Sequence, residues 1–308
     1  MTQSQSLISV VLIFYNASVI NLEAAIKSVL AQSYSKWELL LVDDGSTNKS
    51  SNLARNYALL FPQHIRYLEH ERHLNLGVSA SYNQGIEKAM GQYICFLTAN
   101  QTWLPHKLRH QLTLLEKHPE IGAVFGFLNH SSVNIQLNNK EQQRYWNQRL
   151  NLALSRVNQP PDLSILLLLN RIKPFSTSDI LLRRQTIELT GKFDPRLNLN
   201  YALEMFLLQV CFQTAIFVDR QSSINYVQPL LGSQTENPYP EIDTYPDSES
   251  LAQRVYWFWL EKHLAADRLN NQALSQLVHH QLFSQKYSWH SRFFAYLQKS
   301  LPFLREKS

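Results

Sequence analysis

The chain has 308 residues, 44% of them hydrophobic, with a formal net charge of +5 and an isoelectric point of about 9.1. That apolar content suits one sizeable α/β core with an appendage. The Lys and Arg residues are scattered without long runs, which excludes the electrostatic footprint of a nucleic-acid binder.

The two cysteines, Cys95 and Cys211, lie in apolar segments, where a thiol is a small core hydrophobe and a reducing cytoplasm is the default. The apolar runs Leu7 to Phe14 and Leu163 to Leu169 are too short for a signal peptide or a bilayer span. The expected location is therefore cytoplasmic, with peripheral contact at the inner face of the membrane left open.

Leu7 to Phe14 is continuous, apolar and partly β-branched, which predicts a buried parallel strand. A helix follows, with Asn21 as N-cap and Leu22, Ala25, Ile26, Val29 and Leu30 at helical spacing. Trp37 to Val42 is the second strand, Asp43-Asp44-Gly45-Ser46 a turn, and Ser50 to Phe61 a helix. Ile65 to Glu69 is the third strand, and Ser79 to Met90 a helix with Gly91 at its C′ position. The fourth strand, Tyr93 to Leu97, runs into the polar turn Thr98-Ala99-Asn100-Gln101. Beyond Pro105 the pattern gives a helix at Lys107 to Lys117 and a fifth strand at Ile121 to Leu128. Such alternation predicts a doubly wound sheet of the α/β class.

From Asn129 to Pro161 the composition turns to Asn, Gln and Ser, as in a surface excursion. Ser176 to Arg183 reads as a strand, Gln185 to Thr190 as a helix and Gly191-Lys192-Phe193-Asp194 as a turn. Tyr201 to Cys211 is the next helix and Thr214 to Val218 a short strand. Residues 230 to 250, rich in Pro, Ser, Asn and acid, predict a loop or linker. Leu251 to Leu264 and Gln272 to Tyr287 have helical patterns. The stretch 290 to 306 interleaves aromatic residues with Arg and Lys, which fits core packing, a dimer contact or a basic helix on a membrane surface.

Several blocks in this order resemble the family-two glycosyltransferases of the GT-A fold. They are Ser9-Val10-Val11-Leu12-Ile13-Phe14-Tyr15-Asn16, Val42-Asp43-Asp44-Gly45-Ser46-Thr47, and Asn75-Leu76-Gly77 with Asn83-Gln84-Gly85. Trp103-x-Pro105-x-Lys107-Leu108-x-x-Gln111 and Gly191-Lys192-Phe193-Asp194 follow. The resemblance implies a Rossmann-like, mostly parallel sheet flanked by helices, with a C-terminal helical extension. Residues 1–229 would form the GT-A domain, 1–128 its nucleotide-binding half and 129–229 its acceptor-side half. Residues 230–250 would be a linker and 251–308 the extension, which would contact a membrane or a protein partner.

By the same resemblance, Asp43 and Asp44 would accept hydrogen bonds from a nucleobase N–H or a ribose hydroxyl. Phe14, Tyr15 and Asn16 would flank the base, Asn83 would reach the nucleotide, and Asn100 would touch the diphosphate. Each also has a plain structural reading: Asp44-Gly45-Ser46 as turn and helix cap, the others as strand-end packing and capping. The implied partners are a nucleotide-diphosphate sugar, UDP-type foremost, and a saccharide or lipid-linked acceptor.

The chain departs from the family at four places. Thr98, Ala99, Asn100 and Gln101 stand where relatives place acids to hold Mg²⁺ or Mn²⁺, and all four are neutral. No protein metal site is expected, and a divalent ion would enter only if supplied mainly by substrate. Three readings stay open there: metal-independent transfer, metal held by substrate alone, or no transfer. Counting from Phe193-Asp194 to the usual catalytic acid lands on Tyr201 and Ala202. Glu204 lies two residues on, about 200° round a helix from position 202, and is the one candidate base. Ile224 to Pro229 lacks the His and Arg of a Tyr-Arg-x-His segment, and Tyr82 replaces an Arg. Two functions follow: an inverting nucleotide-sugar glycosyltransferase in surface polysaccharide or glycolipid synthesis, or a catalytically silent binding or scaffold protein assisting an active partner.

Overall fold

The computed structural model describes residues 6–127, 153–160, 163, 175–195, 199–220 and 224–226. The nucleotide-side expectations map onto β1 (Ile8–Phe14), α1 (Val19–Leu30), β2 (Trp37–Asp43), α2 (Ser50–Leu60), β3 (Ile65–Glu69), α3 (Val78–Lys88) and β4 (Tyr93–Thr98). Then come β5 (Gln101–Trp103), α4 (Lys107–Lys117), β6 (Ile121–Phe127), β7 (Arg156–Asn158) and β8 (Phe175–Arg183). The described part closes with α5 (Arg184–Thr190), α6 (Leu199–Gln213), β9 (Ala215–Asp219) and β10 (Ile224–Tyr226).

Every residue of β1 and β2 is buried, because helices cover both faces of this part of the sheet. Strand alternation sorts the side chains into two cores. Val11, Ile13, Leu40, Val42, Ile94 and Phe96 face one way and pack with α3 and α6. Val10, Leu12, Leu39, Leu41, Cys95 and Leu97 face the other and pack with α1 and α4. Gly85 lets α3 approach β1 closely, since a Cβ there would lie 2.2 Å from the Val11 side chain.

The main sheet runs β3-β2-β1-β4-β8-β6-β9-β7. β3, β2, β1 and β4 are mutually parallel, and β8 is inserted antiparallel between β4 and β6. β9 is parallel to β6, and β7 antiparallel to β9. The order reverses between β1 and β4, and the carboxyl ends beside such a switch point are where open α/β sheets bind ligands.

Some local expectations change. Helix α1 starts earlier than the sequence suggests: Ser18 takes the N-cap position and Asn21 lies inside the helix. Helix α3 stops at Lys88, and Gly91 does not cap it. Gly91 instead packs under β1, where a Cβ would meet Leu7 O and Ser9 N at 2.7 Å. Within the segment read as a surface excursion, Arg156–Asn158 extends the sheet as β7. Two other strands were not anticipated in the sequence: the short β5, and β10, which pairs antiparallel with it. The Leu163 to Leu169 run apart from Leu163, the linker at 230–250 and the extension at 251–308 lie outside the described residues. Among the described residues no helix is long and apolar enough to cross a membrane.

Candidate functional site

Three loops meet at the carboxyl ends of β1, β2 and β3. After β1 the chain turns at Asn16, whose φ is +46°. That conformation aims Asn16 at the loop after β2: its N–H donates to Ser46 Oγ (2.9 Å), and its Oδ1 accepts from Thr47 N–H (2.8 Å). The β2 loop turns at Gly45 (φ +78°), where a Cβ would press on Asn75 N at 2.7 Å and Leu74 C at 2.8 Å. A side chain is excluded twice there, by backbone conformation and by the neighbouring loop.

Asp43 and Asp44 tie these loops together from the inside, and both are fully buried. Asp43 Oδ1 accepts from Ser46 N–H (2.8 Å) and its Oδ2 from Tyr67 O–H (2.8 Å). Asp44 Oδ1 accepts from Leu76 N–H (2.9 Å) and Gly77 N–H (3.1 Å), with His70 Nε2 at 3.5 Å. Asp44 Oδ2 is buried yet accepts no hydrogen bond among the described residues. Burial pushes the Asp44 carboxyl above its ordinary range, against the opposing pull of Leu76 N–H, Ser81, Gly77 N–H and His70.

His73, held at φ +55°, completes the wall. Its Nε2 lies 2.7 Å from Ser46 O and its Nδ1 2.9 Å from Glu69 Oε2. Ser46 O, followed by the nearby carboxylates of Asp43 and Glu69, raises its pKa. Sequence reasoning missed His70, His73 and Tyr67, because none belongs to a quoted motif, and gave no role to Ser81, which lies between the two Gly-containing blocks. The one available signal was two His three apart in a polar stretch just after a strand.

The other sequence-selected residues fall as follows. The Phe14 ring is buried in the core with α1, and Tyr15 and Asn16 are half-buried at the strand end. Asn83 Nδ2 donates to Phe193 O (2.8 Å) and its Oδ1 accepts from Phe193 N–H (3.0 Å), so its amide clamps α3 to the loop before α6. Asn100 is exposed in the turn between β4 and β5. Glu204 belongs to α6, but its side chain lies outside the described residues; Ala202, two positions before it, is fully buried.

Tyr82 is also fully buried. It stacks on Phe193 (4.9 Å between centroids) and meets Phe96 edge-on (5.0 Å), while Phe193 stacks on Phe206 (4.2 Å). An apolar aromatic cluster thus fills the place of the expected Arg.

The Trp103 to Gln111 block stitches the β4–β5 turn to β8. Trp103 Nε1 donates to Ser178 O (2.8 Å), and the fully buried Lys107 ammonium donates to Gln111 Oε1 (2.8 Å) while lying 4.2 Å over the Trp103 ring. Gln111 Nε2 in turn donates to Asp179 O and Oδ1, both at 3.1 Å. Burial lowers the Lys107 pKa, an effect that Cys95 and Asp179 oppose. Burial likewise pushes the Cys95 thiol up to about 12, which rules it out as a nucleophile at neutral pH.

Residues 9–173, just over half the chain, match Glycosyl transferase family 2. The chain belongs to that family. It is 33% identical over 132 residues to TuaG of Bacillus subtilis, a teichuronic acid biosynthesis glycosyltransferase by name, covering 42% of this chain and 49% of TuaG. It is 34% identical over 111 residues to EpsE of the same organism, a glycosyltransferase by name, covering 36% of this chain and 39% of EpsE. The matched stretch therefore spans half or less of these relatives. Among solved structures, S. aureus TarS aligns over 90% of this chain and 43% of its own, with a TM-score of 0.60 at 12% identity. A mannosyltransferase from Pyrobaculum calidifontis, solved with GDP-Man and Mn²⁺, aligns over 99% of this chain and 89% of its own, with a TM-score of 0.55 at 15% identity. These likenesses establish the GT-A fold expected from the sequence.

For a family-two member, the end of β4 is where a divalent cation is implied, and the residues present do not fit it. A hard cation selects carboxylate oxygen. The turn offers a hydroxyl and two amides, all neutral, and Thr98 Oγ1 lies 2.6 Å from Asn100 Oδ1 and 2.9 Å from Gln101 Oε1, so its single proton is shared between the two carbonyl oxygens. Gln101 Nε2 donates onward to Ser176 Oγ (3.2 Å). β10 pairs Tyr226 with Gln101, so Ile224–Tyr226 runs beside this same turn. Among the described residues no group of three or more His, Cys, Asp or Glu could hold a metal.

Proposed function

We propose that this family-two glycosyltransferase takes a nucleotide-diphosphate sugar, UDP-type foremost, and transfers its sugar with inversion to a saccharide or lipid-linked acceptor in surface polysaccharide or glycolipid synthesis. The observation that carries the reading is Asp44. A buried carboxylate oxygen without a donor costs roughly 1–3 kcal/mol, and a donor supplied by a ligand at this strand end would recover that cost. It stands at the carboxyl end of β2, in a wall of loops already locked in place beside the switch point.

In this reading Asp44 Oδ2 accepts from a base N–H or a ribose hydroxyl. Asp43 keeps the turn in shape, and Tyr15 and Asn16 border the base from β1. Phe14 packs beneath the wall, and Asn83 holds α3 to the loop before α6. TarS, solved with UDP and with UDP-GlcNAc, and the Pyrobaculum enzyme with GDP-Man support a nucleotide-sugar ligand, and the TuaG name supports polysaccharide synthesis.

Transfer would proceed by direct displacement. The acceptor oxygen bonds to the anomeric carbon as the bond to the nucleoside diphosphate breaks, and a carboxylate takes the acceptor proton. Glu204 is the proposed base.

A silent binding protein with the same crevice is the second reading, favoured by the buried Ala202 and the neutral β4 turn. Calorimetry with UDP and GDP tests the ligand, and absence of binding by either at millimolar concentration sinks both readings of the crevice. Release of nucleoside diphosphate from bound UDP-sugars, lost in Glu204→Gln, supports turnover. Binding without any release leaves the silent reading in place.

A further inference from the structure

We propose that the donor diphosphate is met without a divalent cation, the β4–β5 turn acting as a hydrogen-bond donor surface in place of a metal cradle. This rests on the nucleotide-sugar reading above and adds how the phosphates are held. A metal cradle presents anionic oxygens; here the polarity is reversed. Thr98 Oγ1 lies within hydrogen-bond distance of the carbonyl oxygens of both Asn100 and Gln101. An amide whose oxygen turns toward Thr98 carries its NH₂ on the opposite side, so the exposed Asn100 presents N–H donors away from the turn. Donors of that kind suit phosphate oxygen and repel a cation.

The arrangement is fixed by its surroundings. Gln101 is 5% exposed and anchored to Ser176, and its strand pairs with β10. Trp103 is bonded to β8 two residues further on. Thr98 itself sits opposite Ile13 in the sheet, next to the β1 end that leads into Tyr15 and Asn16. The turn therefore lies at the same carboxyl-end edge of the sheet as the proposed nucleoside wall, at a distance set by neighbouring strands.

The test is calorimetric titration of the full chain with UDP and GDP, once in EDTA and once in excess Mn²⁺. The expected result is one dissociation constant, equal within about twofold in the two buffers. A gain of about tenfold or more with Mn²⁺, worth about 1.4 kcal/mol, overturns the proposal. The double variant Thr98→Asp/Asn100→Asp restores two acids to the turn and is expected to acquire that Mn²⁺ dependence, with circular dichroism melting confirming its fold. A folded double variant that still ignores Mn²⁺ also overturns the proposal, because the donor set would then not be what decides. Failure of UDP and GDP to bind in either buffer removes the nucleotide reading itself, and this inference with it.

Discussion

The carboxyl ends of β2 and β4 flank that of β1 but are ordered by different physics. At β2 two buried carboxylates gather backbone N–H groups from loops far apart in sequence, so the wall depends on charge and hydrogen bonds. At β4 the turn is neutral, and its order comes from the aromatic packing of Phe96 against Tyr82 and Phe193 and from the Trp103 and Lys107 stitching to β8. Two neighbouring strand ends of one sheet can thus be ordered in different ways, one by hydrogen bonds to buried carboxylates and one by aromatic packing.

The sharpest break falls on the β4 side. Tyr82→Ala removes a ring in contact with two others and should cost about 3–5 kcal/mol in urea denaturation, the range for deleting a buried aromatic side chain. An effect below about 1 kcal/mol would show that packing does not order this end. On the β2 side, Gly45→Ala combines a left-handed φ with a 2.7 Å clash on Asn75 N and should cost about 2–3 kcal/mol by the same measurement.

The charged end should also respond to pH. Because burial raises the Asp44 pKa, the folded chain holds this proton to a higher pH than the unfolded chain, whose carboxyl titrates near 3.9. The contribution of Asp44 to stability should therefore decline as pH rises from about 4 through the folded value. Melting temperatures of the wild type and Asp44→Asn across that window should converge or cross accordingly, and parallel curves would refute the shift. The smallest effect belongs to the neutral turn: Asn100→Ala, at an exposed site, should change stability by less than about 0.5 kcal/mol while weakening UDP binding.

Much of this was legible in the chain. Strands β1, β2 and β4 are buried on both faces and so read as mostly apolar runs, and their helices follow at short range. The acidic turn, the two Gly-containing blocks and the neutral Thr98–Gln101 segment were visible as residues in order. Their tasks were not. Asn83, which the resemblance implies would reach the nucleotide, also holds the backbone of Phe193, 110 residues away, through both ends of its amide. Lys107, a residue of the Trp103 to Gln111 block with no role legible in sequence, is fully buried with its ammonium over the Trp103 ring. The caps of α1 and α3 were misplaced because Ser18 and Asn21 both suit a helix start, and Gly91 answers to a close approach of β1 rather than to a helix end.

The sequence by itself determined the α/β alternation, the family and the neutrality of the turn at the β4 end, since each is a local property of residue type and period. The tertiary structure decided that β8 enters antiparallel between β4 and β6, that β10 joins β5, and that Asp44 keeps one oxygen without a donor. Those outcomes depend on pairings between segments tens of residues apart, whose geometry no local periodicity encodes.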